Sequence, residues 1–282
     1  EKEVLDVLVK VHDSTQIDKG QTNLDGKLLE HLGLLDTDNE YLQKWFAPVS
    51  LKELLTYRHF VETGDYEYKD LLKIILSRSA RSARLTKHFD LDFPKKPQLN
   101  PYYCYKHRRQ CSPTMTAYKF IRRYSLDTIK RIKEFDKLRT KAKISVYNQD
   151  SRKVEFPEID GIFTSPPYVG LIDYHEQHSY AYHLLGLKDR RELEIGPAAN
   201  GKSKTAQELY QKDIALVFHN AAKSMNSGNR IIVVANDSKG LYERIAELAG
   251  LNCECVINRH VNRRTGRRAS EFYESIFIWQ KP

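Results

Sequence analysis

No apolar run in this chain approaches the roughly 18 residues that a membrane span requires, and no charged start with a short apolar core opens it as a secretory signal would. Cysteine is scarce. The four present have no framework spacing, which excludes a disulfide scaffold and points to a reducing, cytoplasmic setting. No Asp…Glu-x-Lys arrangement lies beside a predicted sheet edge, so a restriction-type nuclease is disfavoured. Acidic residues are outnumbered, 37 Asp and Glu against 46 Lys and Arg, giving a formal charge of +9 and a pI near 9.2. That balance favours a polyanionic partner without requiring one. The 282 residues suffice for one α/β domain with a substantial insertion or appendage. The chain begins with Glu1 in place of Met, which reads as a processed or excised piece.

What is present centres on Ile159-Asp160-Gly161-Ile162-Phe163-Thr164-Ser165-Pro166-Pro167-Tyr168. Ile159 to Phe163 reads as a short buried strand running into a rigid turn. Proline fixes φ, lacks an N–H and keeps its predecessor out of the α region. Ser165 and Pro166 are therefore expected to be extended, with Tyr168 held at the lip of the strand, where open α/β sheets place ligands. Such a turn suits a flat aromatic substrate with an exocyclic amine, acceptors lying in plane with the amine and a ring stacked on the face. Out of context, a bare Ser-Pro-Pro-Tyr is also a chance loop or a kinase-site-like segment.

Thr164-Ser165-Pro166-Pro167-Tyr168 resembles the catalytic motif of the S-adenosylmethionine-dependent amino-methyltransferases of DNA, in the serine-first form of cytosine-N4 enzymes. The resemblance implies a Rossmann-like methyltransferase sheet and double-stranded DNA as substrate, within a modification or restriction-modification system. It implies transfer of a methyl group from S-adenosylmethionine to the N4 amine of a flipped cytosine. Adenine-N6 methylation is the alternative within the same chemistry; a non-catalytic DNA-binding subunit on a degenerate fold is the alternative outside it. Ser165, Pro166, Pro167 and Tyr168 take the catalytic positions. Asp150-Ser151 at an expected strand end, together with Thr164, resemble the cofactor-contacting residues, although Asp150 also reads as an ordinary capping residue. Asp160 and Asp173-Tyr174 fit the same pattern more weakly. One departure stands out: the family's glycine-rich cofactor turn has no counterpart, since Ser227-Gly228 and Arg264-Thr265-Gly266 are single-glycine turns. The sheet is thus expected to be incomplete at its N-terminal half, completed by an upstream segment or a separate polypeptide.

In chain order, residues 1–40 are expected to form a helix and linker, 41–142 a mainly helical basic subdomain, and 143–282 the α/β core. Apolar residues recur at helical spacing in Val4 to Val11, around Leu51 to Leu55, and from Tyr68 to Ala83. Arg78, Arg81 and Arg84 close that last stretch, either as a solvated face or as a phosphate-facing one. Residues 101–112 read as a loop in which Tyr105, Lys106, Arg108 and Arg109 interleave aromatic and basic character, as nucleic-acid contacts do. Cys104, His107 and Cys111 in that loop are only three potential metal ligands, short of the usual four, so no metal is expected. A basic helix follows over 114–138, with Phe120, Ile121, Ile129, Ile132 and Phe135 marking a buried side. From Lys143 short strands and helices alternate: strands over Ile144–Tyr147, Ile159–Phe163, Ile231–Val234, Cys253–Asn258 and Ser275–Trp279, and helices over 174–185, 205–225 and 241–249. The last two strands read as an antiparallel hairpin at the sheet edge. Cys253 and Cys255 are expected to share one face as packing residues. The hairpin turn carries Arg259, Arg263, Arg264, Arg267 and Arg268, which either grip phosphates or remain solvated.

Overall fold

The computed structural model describes residues 1–16, 37–261 and 272–282. They divide into two compact units, residues 1–142 with 175–189, and residues 143–174 with 190–282.

The first unit is helical: α1 (Lys2–Gln16), α2 (Glu40–Trp45), α3 (Pro48–Thr63), α4 (Lys69–Ala83) and, after a small hairpin, α5 (Tyr118–Asp136). Local chemistry sets the helix starts. The Asn39 side chain accepts the Leu42 N–H at 3.1 Å at the start of α2, and Pro48 occupies the first turn of α3, where its missing N–H costs nothing. Helix α5 has no side-chain cap of its own. Its first N–H groups, on Ala117 and Tyr118, donate to Glu53, a carboxylate only 4% exposed on α3. The core gathers Val7, Val11, Leu54, Tyr57, Leu72, Ile75, Leu76 and Ile121. Burial on α5 stops at Thr128, so Ile132 and Phe135, expected on the buried side, are exposed.

The sequence left the three arginines of α4 and its end undecided; the structure commits them inside the unit. Arg78 pairs with Asp127 and lies over the Tyr124 ring, Arg81 pairs with Asp92, and Arg84 is buried against Tyr180 while donating to the Leu91 carbonyl. The expected loop at 101–112 is a hairpin of β1 (Tyr102–Cys104) and β2 (Arg109–Cys111). The helix expected over 174–185 breaks at His178 into α6 (Tyr174–Gln177) and α7 (Ser179–Leu185), and α7 buries Tyr180, Ala181 and Leu184 in the core of the helical unit.

The second unit is a Rossmann-like mixed sheet with flanking helices. Its strands are β3 (Ile159–Thr164), β4 (Met225–Ala235), β5 (Asn252–Val261) and β6 (Phe272–Gln280), in the order β3-β4-β6-β5. β3 and β4 run parallel, connected through α8 (Lys204–Ala222), while α9 (Tyr242–Ala249) precedes the antiparallel β5–β6 pair. Alternation along β4 sends Ile231, Val233 and Ala235 into one face. There they meet Ile214, Phe218 and Ile245 of the helices and Phe277 and Trp279 of β6. The opposite face carries the half-buried Ile232, Val234, Ile276 and Ile278.

Three expectations fail in this unit. Ile144–Tyr147 is no strand: Ile144 and Val146 are 75% and 87% exposed, with no strand beside them among the described residues. β3 is not a buried internal strand but the edge of the sheet, with Phe163 77% exposed. Both results share a cause, since β-prone apolar residues stay bare when no neighbour pairs with them. Cys253 and Cys255 do not share a packed face. A bulge between them sets Cys253 opposite Trp279 and Cys255 opposite Ile278, and both are exposed.

Candidate active site

The parallel pairing of β3 and β4 brings their carboxyl ends together, Thr164 beside Val233. Antiparallel β6 enters at the same edge, Ser275 beside Ala235, and the far end of β5 arrives with it, Arg259 beside Glu274. The Ser165-Pro166-Pro167-Tyr168 turn leaves β3 at this edge, which is where open α/β sheets gather their functional groups.

Three side chains from elsewhere in the unit fix the turn. The Tyr210 hydroxyl of α8 donates to the Pro167 carbonyl at 2.7 Å and lies 2.8 Å from the Tyr242 hydroxyl of α9. Both tyrosines are buried, and burial pushes the Tyr210 phenol up to about 12 and raises that of Tyr242 further. The Tyr168 hydroxyl donates to Glu274 at 3.2 Å, and Glu274 also pairs with Arg259. Burial first, and the Glu274 charge second, raise the Tyr168 pKa, while a hydrogen bond with the Ser165 hydroxyl opposes the rise. Tyr168 is therefore a neutral phenol at physiological pH, its ring locked at one end by Glu274. Beyond the turn, Gly170 adopts φ 61° and its N–H donates to the Gly196 carbonyl at 3.0 Å. A Cβ there would collide with the Gly201 carbonyl oxygen, so only glycine fits.

Beside the turn opens a cleft of about 230 Å³ lined by Tyr168, Tyr210, Asn236, Asp237, Lys202 and Gln207 among others. Asp237 accepts the N–H groups of Leu241 (2.6 Å) and Tyr242 (3.2 Å), capping the start of α9 from the carboxyl end of β4. The floor thus combines a rigid aromatic ring, a fixed carbonyl-rich turn and polar side chains. Such a surface can stack a planar ring and accept hydrogen bonds from its edge.

Of the residues singled out in the sequence, Ser165 is exposed, and Thr164, Pro166, Pro167 and Tyr168 are half-buried together at this edge. Asp150 is engaged otherwise. Arg152 donates to it through Nε at 2.9 Å, through its second guanidinium nitrogen at 3.0 Å and through the backbone N–H at 3.1 Å. The same guanidinium reaches Asp213 of α8 at 3.4 Å. Arg152 holds the Asp150 carboxyl below the usual carboxylate range. Ser151 is exposed in that turn. Tyr105 (75% exposed), Lys106, Arg108 and Arg109 project from the β1–β2 hairpin of the helical unit. Arg263, Arg264, Arg267 and Arg268 lie outside the described residues. Sequence reasoning missed Glu274, Arg259's partner, and Tyr210, because only strand register and helix packing bring them to the turn.

Fold and site together define a Rossmann-like α/β unit with a fixed Ser-Pro-Pro-Tyr turn at the carboxyl end of a parallel strand. The chain is similar to the Type II methyltransferase M.MjaII of Methanocaldococcus jannaschii, 43% identical over 257 residues that cover 85% of this chain and 48% of that protein. It spans about half the length of that relative. No protein-family model matches the chain, and no solved structure is significantly similar to it. No helix among the described residues is long and apolar enough to cross a membrane.

Proposed function

We propose that this chain is the catalytic-turn half of an S-adenosylmethionine-dependent DNA methyltransferase that modifies the N4 amine of a flipped cytosine. The observation that carries the reading is the Ser165–Tyr168 turn, pinned by Tyr210 and Glu274 at the carboxyl end of β3 beside an open cleft. Similarity to a protein named as a Type II methyltransferase supports the general activity; the serine-first motif supports the cytosine N4 target. Ser165 Oγ and the Pro166 carbonyl accept the two amine N–H groups, and Tyr168 stacks on the base. A serine cannot hold a negative charge, so it orients the amine, and the proton leaves after transfer. Rate acceleration then comes from positioning and electrostatics.

S-adenosylmethionine, when bound, supplies an electrophilic methyl group, but the residues present fit it only in part. Thr164 and Ser151 are accessible, whereas the Asp150 carboxylate is already occupied by Arg152, and the positive-φ glycines stand singly in separate turns. The remainder of the cofactor site belongs, in this reading, to a further segment or subunit that pairs with β3. Such a segment would cover Phe163 and the half-buried Ile232, Val234, Ile276 and Ile278. A relative about twice as long accords with it.

The test is methyl transfer to double-stranded DNA by the protein supplied with that further segment, with N4-methylcytosine read by mass spectrometry. Ser165→Ala is expected to lower turnover roughly 10- to 100-fold, the worth of one or two hydrogen bonds, at unchanged DNA affinity. Turnover equal to the parent's at saturating cofactor removes Ser165 from the site, and a product methylated at adenine N6 overturns the cytosine assignment.

A further inference from the structure

We propose that His88, Cys104, His107 and Cys111 of the helical unit together hold a structural zinc ion. Three of these lie within the β1–β2 hairpin; the fourth comes from early in the segment that follows α4. Their donor atoms all lie within 4.8 Å of one another. Zinc bonds of about 2.0–2.3 Å in a tetrahedron set donors roughly 3.3–3.8 Å apart, so a modest contraction of the side chains closes the site.

The hairpin is built to present these atoms. Tyr102 pairs with Cys111 and Cys104 with Arg109, which places Tyr102, Cys104 and Cys111 on one face, and all three are buried. Arg108, at φ 52°, turns the chain, and the His107 N–H closes back on the Cys104 carbonyl at 3.1 Å. His107 Nδ1 then lies 3.5 Å from Cys111 Sγ. His88 is held by its backbone N–H, which donates to the Tyr102 hydroxyl at 2.9 Å, leaving its ring 4.8 Å from that of His107.

Two further observations point to a ligand. His88 Nδ1 is buried with no hydrogen-bond partner among the described residues, a costly state for a ring nitrogen unless it has something to coordinate. The apolar cluster beneath the hairpin consists of Tyr102, Cys104 and Cys111 with Phe89 against it, too little to hold two three-residue strands. Two thiolates and two imidazoles, with no carboxylate and no fifth donor in the group, select zinc over calcium or magnesium and leave no open coordination position. The site is therefore structural. A Cys104–Cys111 disulfide would leave both imidazoles idle. The metal would fix the tip on which Tyr105, Lys106, Arg108 and Arg109 are exposed.

The experiment measures zinc by atomic emission in the full chain purified without a metal-affinity step. One zinc per chain is expected, falling below a tenth in Cys104→Ser and Cys111→Ser. Because these variants can also lose zinc by misfolding, a chelator-stripped sample is loaded with Co²⁺. The parent should show the intense visible bands of tetrahedral cobalt with thiolate charge transfer, and His107→Cys should retain one metal per chain with stronger thiolate bands. Zinc below a tenth per chain in the parent, cobalt bands of octahedral intensity, or a Cys104–Cys111 disulfide in the native protein would each overturn the proposal.

Discussion

Removing one oxygen from Tyr210 tests how the Ser165–Tyr168 turn is held. Its hydroxyl is buried, donates to the Pro167 carbonyl and receives the Tyr242 hydroxyl. Tyr210→Phe deletes both bonds, each with a net worth of about 1 kcal/mol, and strands the Tyr242 hydroxyl, which adds roughly 1 kcal/mol or more. The expected loss is about 3 kcal/mol. Tyr242→Phe leaves the bond to Pro167 in place and should cost about 1 kcal/mol. With both hydroxyls gone no phenol is stranded, so the double variant should cost about 2 kcal/mol, short of the sum by about 2 kcal/mol. The chain offers a convenient reporter, because its two tryptophans fall one in each unit, Trp45 and Trp279. Trp279 packs against Phe218 and near Tyr242, so urea unfolding followed by its fluorescence in a Trp45→Phe background reports the sheet unit alone. Additivity of the two single variants to within about 0.3 kcal/mol would show that the hydroxyls do not act as a unit. The account of the pinned turn would then be wrong.

Glu53→Ala should destabilise the helical unit by about 3 kcal/mol, since two N–H groups at the start of α5 lose a buried charged acceptor; Glu53→Gln should cost less, and Trp45 fluorescence in denaturant separates the two. Equal stability of Glu53→Ala and parent would refute the capping role. Alkaline pH should weaken the sheet unit. The Tyr210 phenol is raised above its unfolded value, so its contribution is complete below pH of about 10 and is lost as pH rises through about 12. Denaturation midpoints measured through Trp279 should fall over that range in the parent and less steeply in Tyr210→Phe; identical slopes would assign the loss to other groups.

Periodicity made the long elements legible. The apolar spacing of α4 and the continuous Ile231–Val234 run are local properties of the chain, and each formed the element it specified. The Ser165–Tyr168 turn was legible because two prolines fix its backbone whatever surrounds it. Elements that depend on a neighbour were not. Ile144–Tyr147 has strand composition but no pairing partner among the described residues, while β1 and β2 are too short to carry a pattern and form through each other. Glu274 lies just before the strand expected from the sequence, and only the β4–β6 and β5–β6 registers bring it beside Tyr168 and Arg259. His88 was not among the candidate ligands in the sequence, because only the hairpin's fold brings Cys104, His107 and Cys111 to it.

The path of the chain between the two units limits how the protein can be dissected. It leaves the helical unit after Ala142, returns at His175 and leaves again after Asp189. No single cut therefore yields either unit whole. A fragment ending at residue 142 would lack α7, emptying the places of Tyr180 and Leu184, removing the stack of His183 on Tyr41 and freeing Arg58 from the Leu184 carbonyl. A fragment starting at residue 143 would carry those same apolar residues with nothing to bury them. Both fragments invite misfolding for reasons unrelated to any function they contain. A sheet unit meant to stand alone needs residues 175–189 replaced by a short polar linker, and a helical unit needs that segment supplied as a second peptide or rejoined behind α5.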